Sequence, residues 1–117
     1  MAIKEFPKAL YKGNSVYTSF GITNKATGED YEFQVGDIVR VGIKQTLDDD
    51  TYLLYKEFTI IEAGTIMPII FTPEETDAIT VTEDKGILEI ELVYNEGQSI
   101  TTVYQEKIRL EGVVINE

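Results

Sequence analysis

An all-β sandwich is the fold class this sequence predicts, and three observations predict it. Apolar and polar residues alternate in segment after segment, the period of a strand with one buried face. About seven or eight such segments follow one another at intervals of roughly ten residues, separated by turn-forming clusters. Only one stretch, near residues 73–78, carries a helix-start signal, and it is a single turn long. A strand that is greasy on one side alone needs a second layer to cover it. The 117 residues suffice for one such domain, spanning 1–117, with no linker composition or internal repeat to divide it.

The clearest strand runs to Tyr94. Leu88, Ile90, Leu92 and Tyr94 fall on one face, and Glu89 and Glu91 on the other. Just before it, Thr72 fits an N-cap, Pro73 the first helical position, and Glu75 completes a capping box. Asp77 adds negative charge to the same turn, which the dipole at its N-terminal end favours.

Along the rest of the chain, Ala9-Leu10-Tyr11 reads as a lead-in strand, placed at an edge because the nearby Pro7 cannot donate to a ladder. Lys12-Gly13-Asn14 turns it back. From Ser15 to Thr23, Val16, Thr18, Phe20 and Ile22 share a face. After a polar loop, Tyr31 to Phe33 is a short extended piece and Val35-Gly36-Asp37 a turn. Ile38 to Lys44 buries Val39, Val41 and Ile43 and shows Arg40 and Lys44 to water.

Tyr52 to Ile61 switches parity, Leu53 with Tyr55 and then Phe58 with Ile60, which predicts a β-bulge near Lys56 and Glu57. Thr65 to Phe71 aligns Met67, Ile69 and Phe71, with Pro68 marking another edge. Asn95 to Gln98 forms a hairpin loop into Ser99 to Leu110. There Ile100, Thr102, Tyr104, Ile108 and Leu110 share a parity that Glu106 interrupts, so a bulge or the end of burial is expected at Glu106. The apolar Val113-Val114-Ile115 carries no guarding proline or lysine, and is expected either in its own sheet or against a neighbour.

Composition narrows the chemistry. There is no cysteine, hence no disulfide framework and no thiol site. There is no histidine, which removes the Ser-His and Cys-His pairs, His-ligated zinc and the commonest general base. The expectation is a protein that is not an enzyme. No apolar run is long enough for a spanning helix, and the first residues lack the apolar core of a signal peptide.

The formal net charge is −11 and unevenly placed. Residues 1–44 hold six Lys/Arg against five acids, a net of +1, and residues 45–117 four against sixteen, a net of −12. Such a surface repels phosphate, so neither nucleic acid nor an anionic membrane is an expected partner. It serves solubility, or it meets a basic partner.

Three groups invite a chemical reading. Asp48-Asp49-Asp50 offers carboxylates, but consecutive positions alternate in direction and lack the glycine and closing Glu of a calcium loop. A solvated hairpin tip is the ordinary reading, and a weak cation site the alternative. Glu89 and Glu91 lie roughly 7 Å apart on one face, a separation glycosidase pairs use, yet mid-strand carboxylates opposite a buried face are ordinarily solvated. Tyr17, Tyr31, Tyr52 and Tyr55 are residues strands prefer, or else anchors of a binding surface. No catalytic, cofactor-binding or metal-binding residue is assigned.

The order of pieces resembles the N-terminal immunoglobulin-like domain of the phage baseplate upper protein family, found in tailed phages and prophages of Gram-positive bacteria. The residues that carry the likeness are Tyr11-Lys12-Gly13-Asn14 leading into the Val16/Phe20 strand, and Gly36-Asp37-Ile38-Val39-Arg40-Val41. With them go Ile69-Ile70-Phe71-Thr72-Pro73-Glu74-Glu75-Thr76, then Gly86 to Leu92 with Asn95-Glu96-Gly97 and Thr101-Thr102. Ile87 replaces a tyrosine usual in the family, and the sequence ends at Glu117 where family chains continue. That ending leads to the expectation of a stand-alone module or a related head or neck part.

The resemblance implies an immunoglobulin-like sandwich and a non-catalytic structural component of a phage or prophage virion, in the baseplate, the tail or a related part. It would be made in the bacterial host cytoplasm and act by protein–protein assembly. Its partners would be other virion proteins or copies of itself, with no cofactor and no small-molecule substrate. A carbohydrate-binding or adhesion module using exposed aromatics is the alternative.

Overall fold

The computed structural model describes residues 2–3, 9–23, 26–46, 48, 51–79, 85–94 and 96–111. Pro7, Asp49, Asp50, Asn95 and Val113-Val114-Ile115, which figure in the expectations above, lie outside them. Among the described residues the elements are strands β1 (Ala2–Ile3), β2 (Ala9–Tyr11), β3 (Val16–Phe20), β4 (Ile22–Thr23), β5 (Ile38–Lys44), β6 (Leu54–Thr59) and β7 (Met67–Phe71). A helical turn α1 (Pro73–Asp77) follows, then β8 (Lys85–Tyr94) and β9 (Ser99–Glu111). The protein is all-β.

One layer is a five-stranded sheet in the order β2-β9-β8-β5-β6, antiparallel except that β2 runs parallel to β9. The other layer is made of two antiparallel ribbons, β3-β7 and β1-β4, in which β3 leads into β4 through Gly21. The run β9-β8-β5-β6 is the order of the larger sheet of variable-type immunoglobulin sandwiches, and β3-β7 is a neighbouring pair of the smaller one. The expected sandwich is the observed one.

Alternation decides what the layers bury. Val39, Val41 and Ile43 of β5, Leu88, Ile90 and Leu92 of β8, and Met67, Ile69 and Phe71 of β7 all point into the core. Phe20 and Phe33 join them with ring centroids 6.2 Å apart. Each such side chain contributes about 1.5–3 kcal/mol by leaving water.

Two expected irregularities stand elsewhere. β6 pairs with β5 in unbroken register from Ile38↔Thr59 to Ile43↔Leu54, so no bulge lies at Lys56 and Glu57. The inward row is Leu54, Lys56 and Phe58, because a lysine occupies a core-facing position and hides the alternation. The register between β8 and β9 shifts between Ile90↔Tyr104 and Glu91↔Thr102, placing the extra residue at Val103, not at Glu106. Ile100 and Thr102 are thereby turned to the outer, exposed side, while Glu106 stays in step opposite Leu88. Likewise Tyr31 to Phe33 forms no strand. It is held by single bridges, with Tyr31 N donating to Ile22 O at 2.7 Å and Phe33 N to Gly64 O at 2.7 Å.

Five residues are too few for a helix that stands alone, and α1 is fixed from three sides. Thr72 Oγ1 accepts from Glu75 N at 3.2 Å and Glu75 Oε1 from Thr72 N at 2.8 Å, the expected capping box. The fully buried Thr76 accepts from Gly13 N at 3.0 Å and donates to Asn14 O at 2.8 Å. Lys12 donates to the carbonyl of Asp77 and, at 2.9 Å, to that of Ile79. That answers the carbonyls a helix leaves open at its end. Asp77 itself is the last helical residue, remote from the N-terminal end where its charge was expected to help; Glu74 and Glu75 hold that place. The Tyr11–Asn14 and Thr72–Thr76 motifs thus meet, through bonds that span 62 and 63 residues of sequence.

Candidate functional site

The groups that invited a chemical reading part company in space. Asp48 is exposed, and among the described residues no three acids gather as a metal site would require. Glu89 and Glu91 lie on the outer face of β8. Glu89 accepts from Gln105 Nε2 at 2.6 Å, and Glu91 stands opposite Arg40 on β5. They are members of a polar sheet face with neighbours of their own.

The tyrosines do not form one surface. Tyr17 projects from β3, in the opposite layer, and is 72% exposed. Tyr31 packs edge-on against Phe33 at 5.4 Å and Tyr94 at 6.3 Å. Its hydroxyl donates to Asp37 Oδ2 at 2.6 Å. Burial first, and then the Asp37 carboxylate, raise the Tyr31 pKa well above that of free tyrosine. Asp37 is itself buried and also accepts from Gln34 N at 3.0 Å, closing the turn in which Gly36 takes φ +97°. That is a glycine position of a type II turn. The 270 Å³ recess beside it, lined by Tyr31, Gln34, Val35, Gly36, Asp37 and Glu96, belongs to this turn.

Tyr52 and Tyr55 do come together, on the outer face of the five-stranded sheet. Their ring centroids are 4.8 Å apart and their planes tilted by 38°. The Tyr52 ring lies over Gly42, where a Cβ would overlap it, so the missing side chain in the middle of β5 is its seat. Lys44 Nζ stands 4.9 Å from the centre of that ring. Tyr55 donates to Glu57 Oε2 at 2.6 Å, and Glu57 Oε2 is 3.3 Å from Arg40 Nε. Burial and the Glu57 bond push the Tyr55 phenol up to about 12. The result is a small aromatic platform in a frame of charges.

An apolar concavity lies elsewhere, and no strand pattern in the sequence pointed to it. Among the described residues β6 has a strand partner only on its β5 side and β7 only on its β3 side, and the other edges of the two strands line one opening. Between them runs a groove of about 740 Å³, floored by Phe58, Ile60, Met67 and Pro68. Ile61, Ile66 and Ile70 stand along it, with Glu57 and Glu62 at its rim. These isoleucines are 86%, 55% and 39% exposed. Contiguous exposed apolar residues of this kind mark interaction surfaces more often than scattered ones do.

The backbone at the groove follows from the ladders. Ile60 N donates to Asp37 O at 2.8 Å, so the alternate residues Tyr55, Glu57 and Thr59 turn their N–H and C=O groups away from β5, towards the opening. On the far side Ile70 O accepts from Lys56 Nζ at 2.9 Å, so Ile70 and, two residues before it, Pro68 face outward too. Proline thus sits where its missing N–H costs no ladder bond, as expected of an edge. β7 is blunted and, among the described residues, β6 is open. The available sequence signal was the doubled isoleucine at Ile60-Ile61 and the Ile66 before Met67, apolar residues that no strand parity accommodates.

Compared with known proteins, the chain matches no family model, no curated protein and no solved structure.

Proposed function

We propose that this protein is a non-catalytic assembly module, a structural component of a phage or prophage particle that acts by docking onto neighbouring subunits. The observation that carries the assembly reading is the apolar groove between two free sheet edges, with β6 offering unpaired backbone groups along it. The sequence resemblance to the N-terminal domain of the baseplate upper protein family supplies the setting, a tailed particle built in a bacterial cytoplasm. The lack of histidine and cysteine accords with a role without catalysis. The test is light scattering of the isolated protein across concentration and ionic strength, then with tail, baseplate and neck proteins encoded beside it. A stable complex with one of them, or a salt-dependent homo-oligomer, supports the reading.

A second reading rests on the Tyr52–Tyr55 platform, since paired aromatic rings edged by Lys44 and Glu57 suit a carbohydrate-binding or adhesion module. A strict monomer that ignores every virion protein, yet binds a sugar on a glycan array, selects this alternative.

A further inference from the structure

We infer that the groove between β6 and β7 receives an extended segment of another protein, apolar on one face and basic on the other, which adds to the five-stranded sheet as a strand beside β6. The inference rests on the assembly reading and names its site and the chemistry of its partner. Three observations converge on that occupant.

The first is the backbone. Tyr55, Glu57 and Thr59 present alternate N–H and C=O groups at the open edge, the template to which an extended chain pairs. β7, with Pro68 and with the Ile70 carbonyl already taken by Lys56, offers no equivalent. The segment therefore pairs with β6.

The second is the floor. A strand added beside β6 sends every other side chain inward, over Phe58, Ile60 and Met67, and only apolar groups gain from displacing water there.

The third is charge. The remaining side chains emerge level with Tyr55, Glu57 and Thr59, beside Glu57 and near Glu62, on a chain of net charge −11. Lysine or arginine at those positions is attracted, whereas aspartate or glutamate is repelled. The same term disfavours a second copy of this chain. Two β6 edges pairing antiparallel about Glu57 would set two Glu57 carboxylates opposite each other.

The experiment selects a displayed library of random twelve-residue peptides on the intact protein. The expected outcome is enrichment of sequences alternating apolar residues with Lys or Arg. Synthetic copies of the winners should weaken as salt rises. Against Thr59→Pro, which removes an edge N–H, and against Ile61→Asp, at an exposed position that leaves the core alone, they should lose about tenfold or more in affinity, the scale of one good interface contact. Glu62→Lys should shift the selected pattern away from basic residues. Winners with no alternation, winners rich in acids, or binding indifferent to all three variants would overturn the inference. So would an oligomer of the protein alone that Ile61→Asp dissolves, since it makes a second copy the occupant. A virion protein that binds wild type and all three variants equally keeps assembly and discards the groove, while a strict monomer that binds no virion protein discards assembly itself.

Discussion

Lys56 Nζ and Glu75 Oε1 stand 2.8 Å apart, and through them the open edge of the five-stranded sheet is tied to the helical turn that follows the edge strand of the opposite layer. The same ammonium donates to Ile70 O at 2.9 Å and lies 5.4 and 5.7 Å from the ring centres of Phe58 and Phe71. The same carboxylate oxygen accepts from Thr72 N. A lysine on a core-facing position of a strand is costly unless its charge is answered. Here a carboxylate, a carbonyl and two ring faces answer it.

Removing either partner should therefore cost more than a surface pair does. Lys56→Met, which keeps the stem against Phe58 and Phe71, is expected to destabilise by about 1–2 kcal/mol, and Glu75→Ala by a similar amount because it also opens the capping box. In a double-mutant cycle the coupling should be about 1 kcal/mol. Urea unfolding of the four proteins measures it, and additive costs would show the pair to be incidental.

The pH dependence of stability follows from the same group. The Lys56 bond, with the Thr72 backbone, holds the Glu75 carboxyl below its ordinary 4.5. A lowered carboxylate contributes stability that is complete above the unfolded value and is lost as pH falls through the folded one. Thermal stability should drop below about pH 4.5, and Glu75→Gln should flatten that part of the curve. At the alkaline end the sign reverses. Tyr55, pushed up to about 12 by burial and Glu57, and Tyr31, raised by burial and Asp37, stay protonated in the fold. Stability should then fall as the unfolded chain ionises its tyrosines above about pH 10. Melting curves in wild type and Tyr31→Phe check this.

How much of this was legible beforehand depends on what each residue signals locally. Leu88 to Tyr94 and Val39 to Ile43 declared their faces because each alternates, Val93 and Gly42 apart, and each sits in the middle of a sheet. The capping box declared itself because Thr72, Pro73 and Glu75 act within four residues. β6 misled because Lys56 stands where an apolar residue was expected, its reason lying 19 residues away at Glu75. β9 misled because a bulge at Val103 puts Ile100 and Tyr104 on opposite faces, and nothing in that valine announces it. Tyr52 and Tyr55 could be suspected as a pair, but Gly42 as the seat of a ring could not. The groove was illegible for the same reason, since its walls come from two strands brought together only by the packing of layers.

Register at the centre of the larger sheet has its own test. Leu92, 2% exposed on β8, should cost roughly 2–5 kcal/mol when cut to alanine, since the site empties inside two packed layers. Glu91→Ala, next to it on the outer face, should stay within about 0.5 kcal/mol. Val103→Ala should fall between, the residue being buried but at a bulge where the backbone has room to adjust. Chemical denaturation orders the three, and a Glu91 cost equal to that of Leu92 would place the wrong face inside.

The platform on the outer face allows a last prediction that separates the two functional readings. Gly42→Ala puts a methyl group where the Tyr52 ring rests. The ring is the far end of a side chain held by a loop, so it should swing away rather than break the strand. Alanine's better backbone propensity offsets part of the lost packing, and stability should move by less than about 1 kcal/mol. The displaced ring leaves Lys44 and uncouples from Tyr55, which NMR reads directly. In wild type the Gly42 Hα protons lie under an aromatic ring and should resonate upfield of ordinary strand values. Tyr52→Ala should abolish that shift, and Gly42→Ala should weaken it at the Hα that remains. If the platform is packing, both variants assemble with virion partners as wild type does. If it is a sugar-binding surface, both lose glycan binding while the groove variant Ile61→Asp keeps it. Assembly that fails in Gly42→Ala and survives in Ile61→Asp would move the interface from the groove to the outer face of the five-stranded sheet.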